Sequence, residues 1–255
     1  MNIQIKDSFV LAAKIIVFVL IIVLVYIIGV YGRSDIPVFE IKDVYVKLSA
    51  NANYLDDNME QNWNLNIYQT NDIYIKFGHK DNIHVQNEQD KILKQVYIDN
   101  IEIVDLPKLG SGISVYTISK NKEKMFEYTS EYMVKDKIEY TVVPNNSDIY
   151  NLEVNSTNGQ VAISFVNNNV LEYVYNGLNE IKFDGTLLKN ANVSLEDVQF
   201  TVSFNMNFVT ETDKKYVYNI KMILPYGDMI TNGTVITDDM SNISITLLEN
   251  IVEGK

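Results

Sequence analysis

The sequence predicts an all-β body of antiparallel sandwich or jelly-roll type behind one N-terminal transmembrane helix. Three observations predict it. An apolar run extends from Ile15 through Val30, with only Gly29 breaking its bulky character. Beyond it, apolar and polar residues alternate with period two in one segment after another. Convincing helical spacing is scarce there, and the four prolines, at 37, 107, 144 and 225, fall where strands are expected to end.

The apolar run comes first. With Val10 to Ala13 it reaches the ~20 residues that a helix needs to cross a bilayer core of about 30 Å. A cleaved signal peptide has a shorter core of about 7–15 residues, so a retained signal anchor is the better reading. Lys6 and Lys14 precede or open the run and Arg33 follows it. Cations near the ends favour a cytoplasmic N-terminus, and Lys14 can extend its amine back to that interface. Tyr26 and Tyr31 sit where an outer aromatic belt belongs. Residues 1–34 are thus expected to be a short cytoplasmic tail and anchor in the cell membrane, with everything from about Ser34 onward extracytoplasmic.

Charge and cysteine content bound the rest. The chain carries 21 Lys and Arg against 33 Asp and Glu, a formal net charge of −12. Nucleic acid is excluded as a partner, since its phosphates require clustered cations. Flat adsorption on anionic lipid is disfavoured for the same reason. There is no cysteine, which rules out disulfides, thiolate nucleophiles and thiolate metal sites. The body must therefore be held by core burial, for which about 220 residues suffice.

The strand elements follow in chain order. Glu88 to Lys94 reads as a short turn of helix. Ile138, Tyr140 and Val142 alternate with Glu139 and Thr141. Val198, Phe200, Val202, Phe204, Met206 and Phe208 share one strand face, with Gln199, Thr201, Ser203, Asn205 and Asn207 on the other. Successive strand side chains point to opposite faces, so this segment is half-buried. Glu211-Thr212-Asp213 supplies a hairpin turn into Tyr216, Tyr218, Ile220, Met222 and Leu224. Ile243, Ile245 and Leu247 close the series. Faced strands in succession indicate antiparallel sheets packed in layers.

An internal repeat is visible. Asn64 to Phe77 aligns with Asn151 to Phe165 as strand, Thr-Asn turn, strand, and Asn158-Gly159 is a strong hairpin signal. Two related modules are expected, 35–145 and 146–255, joined at Pro144-Asn145-Asn146-Ser147-Asp148. That junction has no Gly/Ser tether, so the modules should pack together or merge into one sandwich.

Candidate chemistry is sparse, and neither a catalytic set, a metal site nor a cofactor is expected. His79 and His84 flank Asp81, but two histidines without a third ligand read as loop residues. Gly110-Ser111-Gly112 lacks the full nucleophile-elbow pattern. Asp56-Asp57 with Glu60, Glu211 with Asp213, and Asp238-Asp239 are carboxylate pairs that read as turn residues. Trp63, the only tryptophan, and Tyr74, on the face opposite Ile73, Ile75 and Phe77, are the candidate binding residues. Exposed aromatics on a β face stack sugars and are enriched at protein interfaces. The expected function is a non-enzymatic binding and assembly component of the cell envelope, acting through contacts with other envelope proteins. Binding of cell-wall or surface polysaccharide is the alternative, and a carboxylate-dependent surface hydrolase the second.

Overall fold

Alternation becomes architecture in the computed structural model, which describes residues 16–24, 36–55, 63–85, 87–144, 149–175 and 181–252. Among these residues eleven strands form: β1 (Phe39–Tyr54), β2 (Trp63–His79), β3 (Leu93–Asp105), β4 (Gly112–Tyr116), β5 (Ile138–Val143), β6 (Glu153–Asn155), β7 (Gly159–Tyr175), β8 (Phe200–Thr210), β9 (Lys214–Leu224), β10 (Val235–Thr237) and β11 (Ile243–Val252). They make two sheets, one in the order β10-β1-β2-β7-β4 and the other β11-β9-β8-β3-β5-β6. Every pairing is antiparallel except β5 with β6. The four prolines do stand just outside strands, where no ladder needs their missing N–H.

The chain divides into two units, Met1–Pro37 and Val38–Lys255. In the first, helix α1 covers residues 16–24, with its side chains exposed. No helix among the described residues is long and apolar enough to cross a membrane. The rest of the expected span lies outside the described residues.

In the second unit the inward faces of the two sheets meet. Phe77 of β2 lies against Phe208 of β8 at 5.0 Å between ring centres, and Phe165 of β7 against Phe204 at 6.1 Å. The alternating residues Phe200, Val202, Phe204, Met206 and Phe208 are all buried in this layer. Strands from before and after residue 145 are interleaved in both sheets: β1 and β2 pair with β7 and β10, while β3 and β5 pair with β8 and β6.

Two tyrosines stitch the sheets at opposite flanks. Tyr140 of β5 donates its hydroxyl to the Ala162 carbonyl at 2.8 Å and accepts the Ala162 N–H at 2.9 Å. Ala162 lies on β7 just beyond the stretch paired with β4, so the phenol satisfies the backbone groups of an unpaired edge. Tyr218 of β9 donates to the Phe39 carbonyl at 2.7 Å on the other side. Burial pushes the Tyr140 phenol well above its ordinary range and the Tyr218 phenol up to about 12.

The two stretches aligned as a repeat have different conformations. Residues 64–77 lie within β2, which runs unbroken through Thr70-Asn71 with both side chains buried. The later stretch changes sheets, since β6 belongs to the second and β7 to the first. Asn155 turns the chain there by accepting from the Thr157 N–H and hydroxyl. A Cβ on Gly159 would stand 2.9 Å from Phe77 and 3.0 Å from Val154, so glycine is needed for close approach at this corner rather than for a two-residue hairpin. Three short helices follow β7: α2 (Thr186–Asn190), α3 (Leu195–Val198) and α4 (Met229–Asn232). Leu187 and Leu188 are buried as α2 packs on β1.

Candidate functional site

Trp63 opens β2 at one end of the first sheet. Its register partner is Tyr175, and both belong to the inward-facing set with Leu65. The Trp63 ring meets Tyr54 edge-on at 5.7 Å and Tyr175 at 5.7 Å, and Tyr54 in turn meets Phe183 at 5.9 Å. Trp63 is half-buried in this row of four rings, while Tyr54 and Phe183 are exposed. At the same end of the sheet a depression of about 290 Å³ is lined by Leu55, Asn64, Glu172, Tyr173 and Val174, of which Asn64 and its register partner Val174 lie on the face opposite Trp63. Those groups offer an amide, a carboxylate and a phenol.

Tyr74 occupies the outward face of the first sheet, where it is half-buried. It stacks on Tyr45 of β1, ring centres 4.7 Å apart and nearly parallel, and Phe126 closes over it at 6.2 Å. Phe126 belongs to a strap, residues 117–132, that lies across this face. The strap is closed at its base, where Thr117 N–H donates to Tyr132 and Val134 N–H to Val115. Within it the buried Ser119 accepts from Asn121 and donates to the Lys124 carbonyl at 2.7 Å. Tyr128 packs edge-on against Tyr68 and Tyr116.

Beneath the strap lies a buried carboxylate. Asp72 is only 5% exposed and stands in a cross-sheet row with Lys47 of β1, Ser164 of β7 and Tyr116 of β4. Ser164 donates to its Oδ1 at 2.6 Å and Tyr128 at 3.0 Å. Burial raises the carboxyl above its ordinary value, against the lowering pull of Ser164, Tyr128 and Lys47. Burial and then the Asp72 charge push the Tyr128 and Tyr74 phenols far up as well. The arrangement holds a polar face closed, with the Ser164 and Tyr128 hydroxyls both committed to the Asp72 carboxyl.

The remaining candidates are dispersed. His79 ends β2 with its Nε2 donating to the Lys91 carbonyl at 2.7 Å and its ring against Phe39, while His84 is exposed. Asp81 pairs with Lys42 instead. Gly110-Ser111-Gly112 lies in the crossing from β3 to β4. Asp213 sits at the β8–β9 turn, where it binds Lys94 at 2.6 Å, and Asp239 accepts from the Ser241 N–H. Asp56, Asp57 and Glu60 fall outside the described residues. No cluster of three metal-ligating side chains occurs among the described residues.

Sequence reasoning passed over Asp72, Tyr128 and Ser164. One signal was present: Asp72 shares the outward strand face with Tyr68 and Tyr74. The strap itself has no alternation to announce it. The short helices did carry readable signals, above all the reciprocal Ser194–Asp197 capping box of α3. No known family, curated protein or solved structure matches this chain.

Proposed function

We propose that this chain is a membrane-tethered, extracytoplasmic β-sandwich that acts as a non-enzymatic binding and assembly component of the cell envelope. The observation that carries the reading is an apolar margin on one flank. There β10 edges the first sheet and β11 the second. Ile236 on β10 is 68% exposed, and Met240, Leu247 and Leu248 are exposed along the segment that follows. Edge strands with exposed apolar side chains are ready-made for pairing with another chain, which natural proteins otherwise avoid. Other envelope proteins are the expected partners, and the apolar run at residues 15–30 is the proposed tether.

A photo-crosslinker placed at Leu248 in whole cells should yield a discrete protein adduct, lost when Ile236 is changed to Lys. A chain that remains uncrosslinked and monomeric would sink the reading. Protease added to intact cells should cleave the body if it faces outward.

The aromatic row at Trp63 supports a second reading, in which its end of the first sheet takes a polysaccharide. Retention on cell-wall polysaccharide that disappears in Trp63→Ala would favour it, and no retention would remove it.

A further inference from the structure

Tyr128 fastens the strap over the first sheet at a polar point, with Asp72, Ser164 and Thr70 beneath it. The strap's two ends are tied by backbone bonds at 115–117 and 132–134, and its aromatic residues Phe126 and Tyr128 rest on Tyr74, Tyr68 and Tyr116. Between those ring contacts, Tyr128 reaches down to Asp72. Closing the strap therefore buries a carboxyl group, and lifting it returns that group to water. We propose that the strap is a proton-linked cover, closing most firmly on the first sheet when Asp72 is protonated and loosening as this carboxyl ionises.

The closed site is poor at holding a negative charge. Both hydroxyl donors, Ser164 and Tyr128, address the same oxygen, and the carboxyl is shut away from solvent. An ionised group removed from water costs more than a few neutral hydrogen bonds restore. Burial is the dominant effect on Asp72 and raises its carboxyl above 3.8. A carboxyl raised in the closed form makes closing take up a proton. The closed strap has its full advantage below the ordinary carboxyl value. It loses that advantage as pH rises from there through the raised value, and nothing changes further above it.

The titratable groups facing Asp72 are Lys47 from β1, Tyr74 from its own strand, Tyr116 from β4 and Tyr128 from the strap. Asp72 is the carboxyl among these, while the strap itself carries Glu123, Glu127 and Glu131, of which Glu127 accepts from the Asn121 amide within the strap; the Asp72→Asn comparison separates the two sources. Opening uncovers the stacked Tyr45–Tyr74 pair, which gives the outward aromatic face a state that pH selects.

Amide hydrogen exchange on the full-length protein, followed by mass spectrometry from about pH 3.5 to 8 and corrected for intrinsic exchange rates, tests this. Protection of residues 118–132 should fall as pH rises, by about tenfold for each unit by which the carboxyl is raised. Asp72→Asn should abolish that dependence and keep the strap protected at neutral pH. Tyr128→Phe retains the ring contacts but removes a donor to the ionised form, so its strap should be less protected at neutral pH and its pH response steeper. Protection that ignores pH in the wild type, or an Asp72→Asn protein with the same pH response, would overturn the proposal. If Asp72→Asn does not fold, Tyr128→Phe decides: protection and pH response identical to wild type would overturn it.

Discussion

Single atoms decide where this sandwich is vulnerable. The Tyr140 hydroxyl serves both polar groups of Ala162, so Tyr140→Phe leaves a buried N–H and a buried carbonyl without that partner. Each such loss costs about 1–3 kcal/mol, and urea denaturation should show a destabilisation of at least that size. At Gly110 two constraints coincide. Its φ is +122°, and a Cβ there would stand 1.9 Å from Asn167 Oδ1. Asn167 is fully buried and donates to the Leu109 carbonyl at 2.9 Å, so it has little room to retreat. Gly110→Ala should therefore cost more than about 1 kcal/mol. Gly112 is also at positive φ, but a Cβ added to it would meet nothing within 4 Å, and Gly112→Ala should cost less in the same titration. The difference between the two isolates the clash from the backbone preference.

Elements meet in this protein through short helices and turn carboxylates. Gly185 precedes α2 and lies so close to α4 that a Cβ would fall 2.2 Å from the Met229 carbonyl. Gly185→Ala should lower the melting temperature and open residues 181–198 to limited proteolysis, while the β8–β9 hairpin stays protected. That hairpin has its own fastening: the Lys214 ammonium lies 3.1 Å from the buried Asp90 carboxylate, on the short turn before β3. Turn carboxylates respond to acid in the opposite sense from Asp72. The Thr231 N–H holds Asp228 below its ordinary range, and the Ser241 N–H does the same for Asp239. Their support of α4 and of the turn before β11 is present above the usual carboxyl value and is lost as pH falls through the lowered one. Exchange at 228–242 should rise in acid, where the strap tightens.

Interleaving is the property that governs the whole molecule. Each sheet draws strands from both sides of residue 145, and each inward face is completed by the other half. Fragments 36–145 and 146–255, expressed separately, should each lack cooperative unfolding and native near-ultraviolet dichroism, and mixing them should restore both. A fragment that folds alone would show that the interleaved pairings are dispensable. Residues 36–255 together should unfold in one transition, since Val38–Lys255 forms one compact unit.

The all-β character and the places of β5, β8, β9 and β11 could be read from the order of residues, whereas β1, β3 and the unbroken run of β2 could not. Phe200 to Phe208 and Tyr216 to Leu224 were legible because period-two burial is a local property, readable without knowing the partner strand. Parity alone also placed Tyr74 on the outward face. What covers that face is a matter of tertiary contact. The strap carries no repeating pattern, and Asp72 meets Tyr128 and Ser164 across 56 and 92 residues of chain. Pairing partners, sheet membership and the corner at Asn155 were likewise beyond sequence reading. Each depends on contacts between distant segments, whose energies belong to pairs of residues and are written in neither one alone.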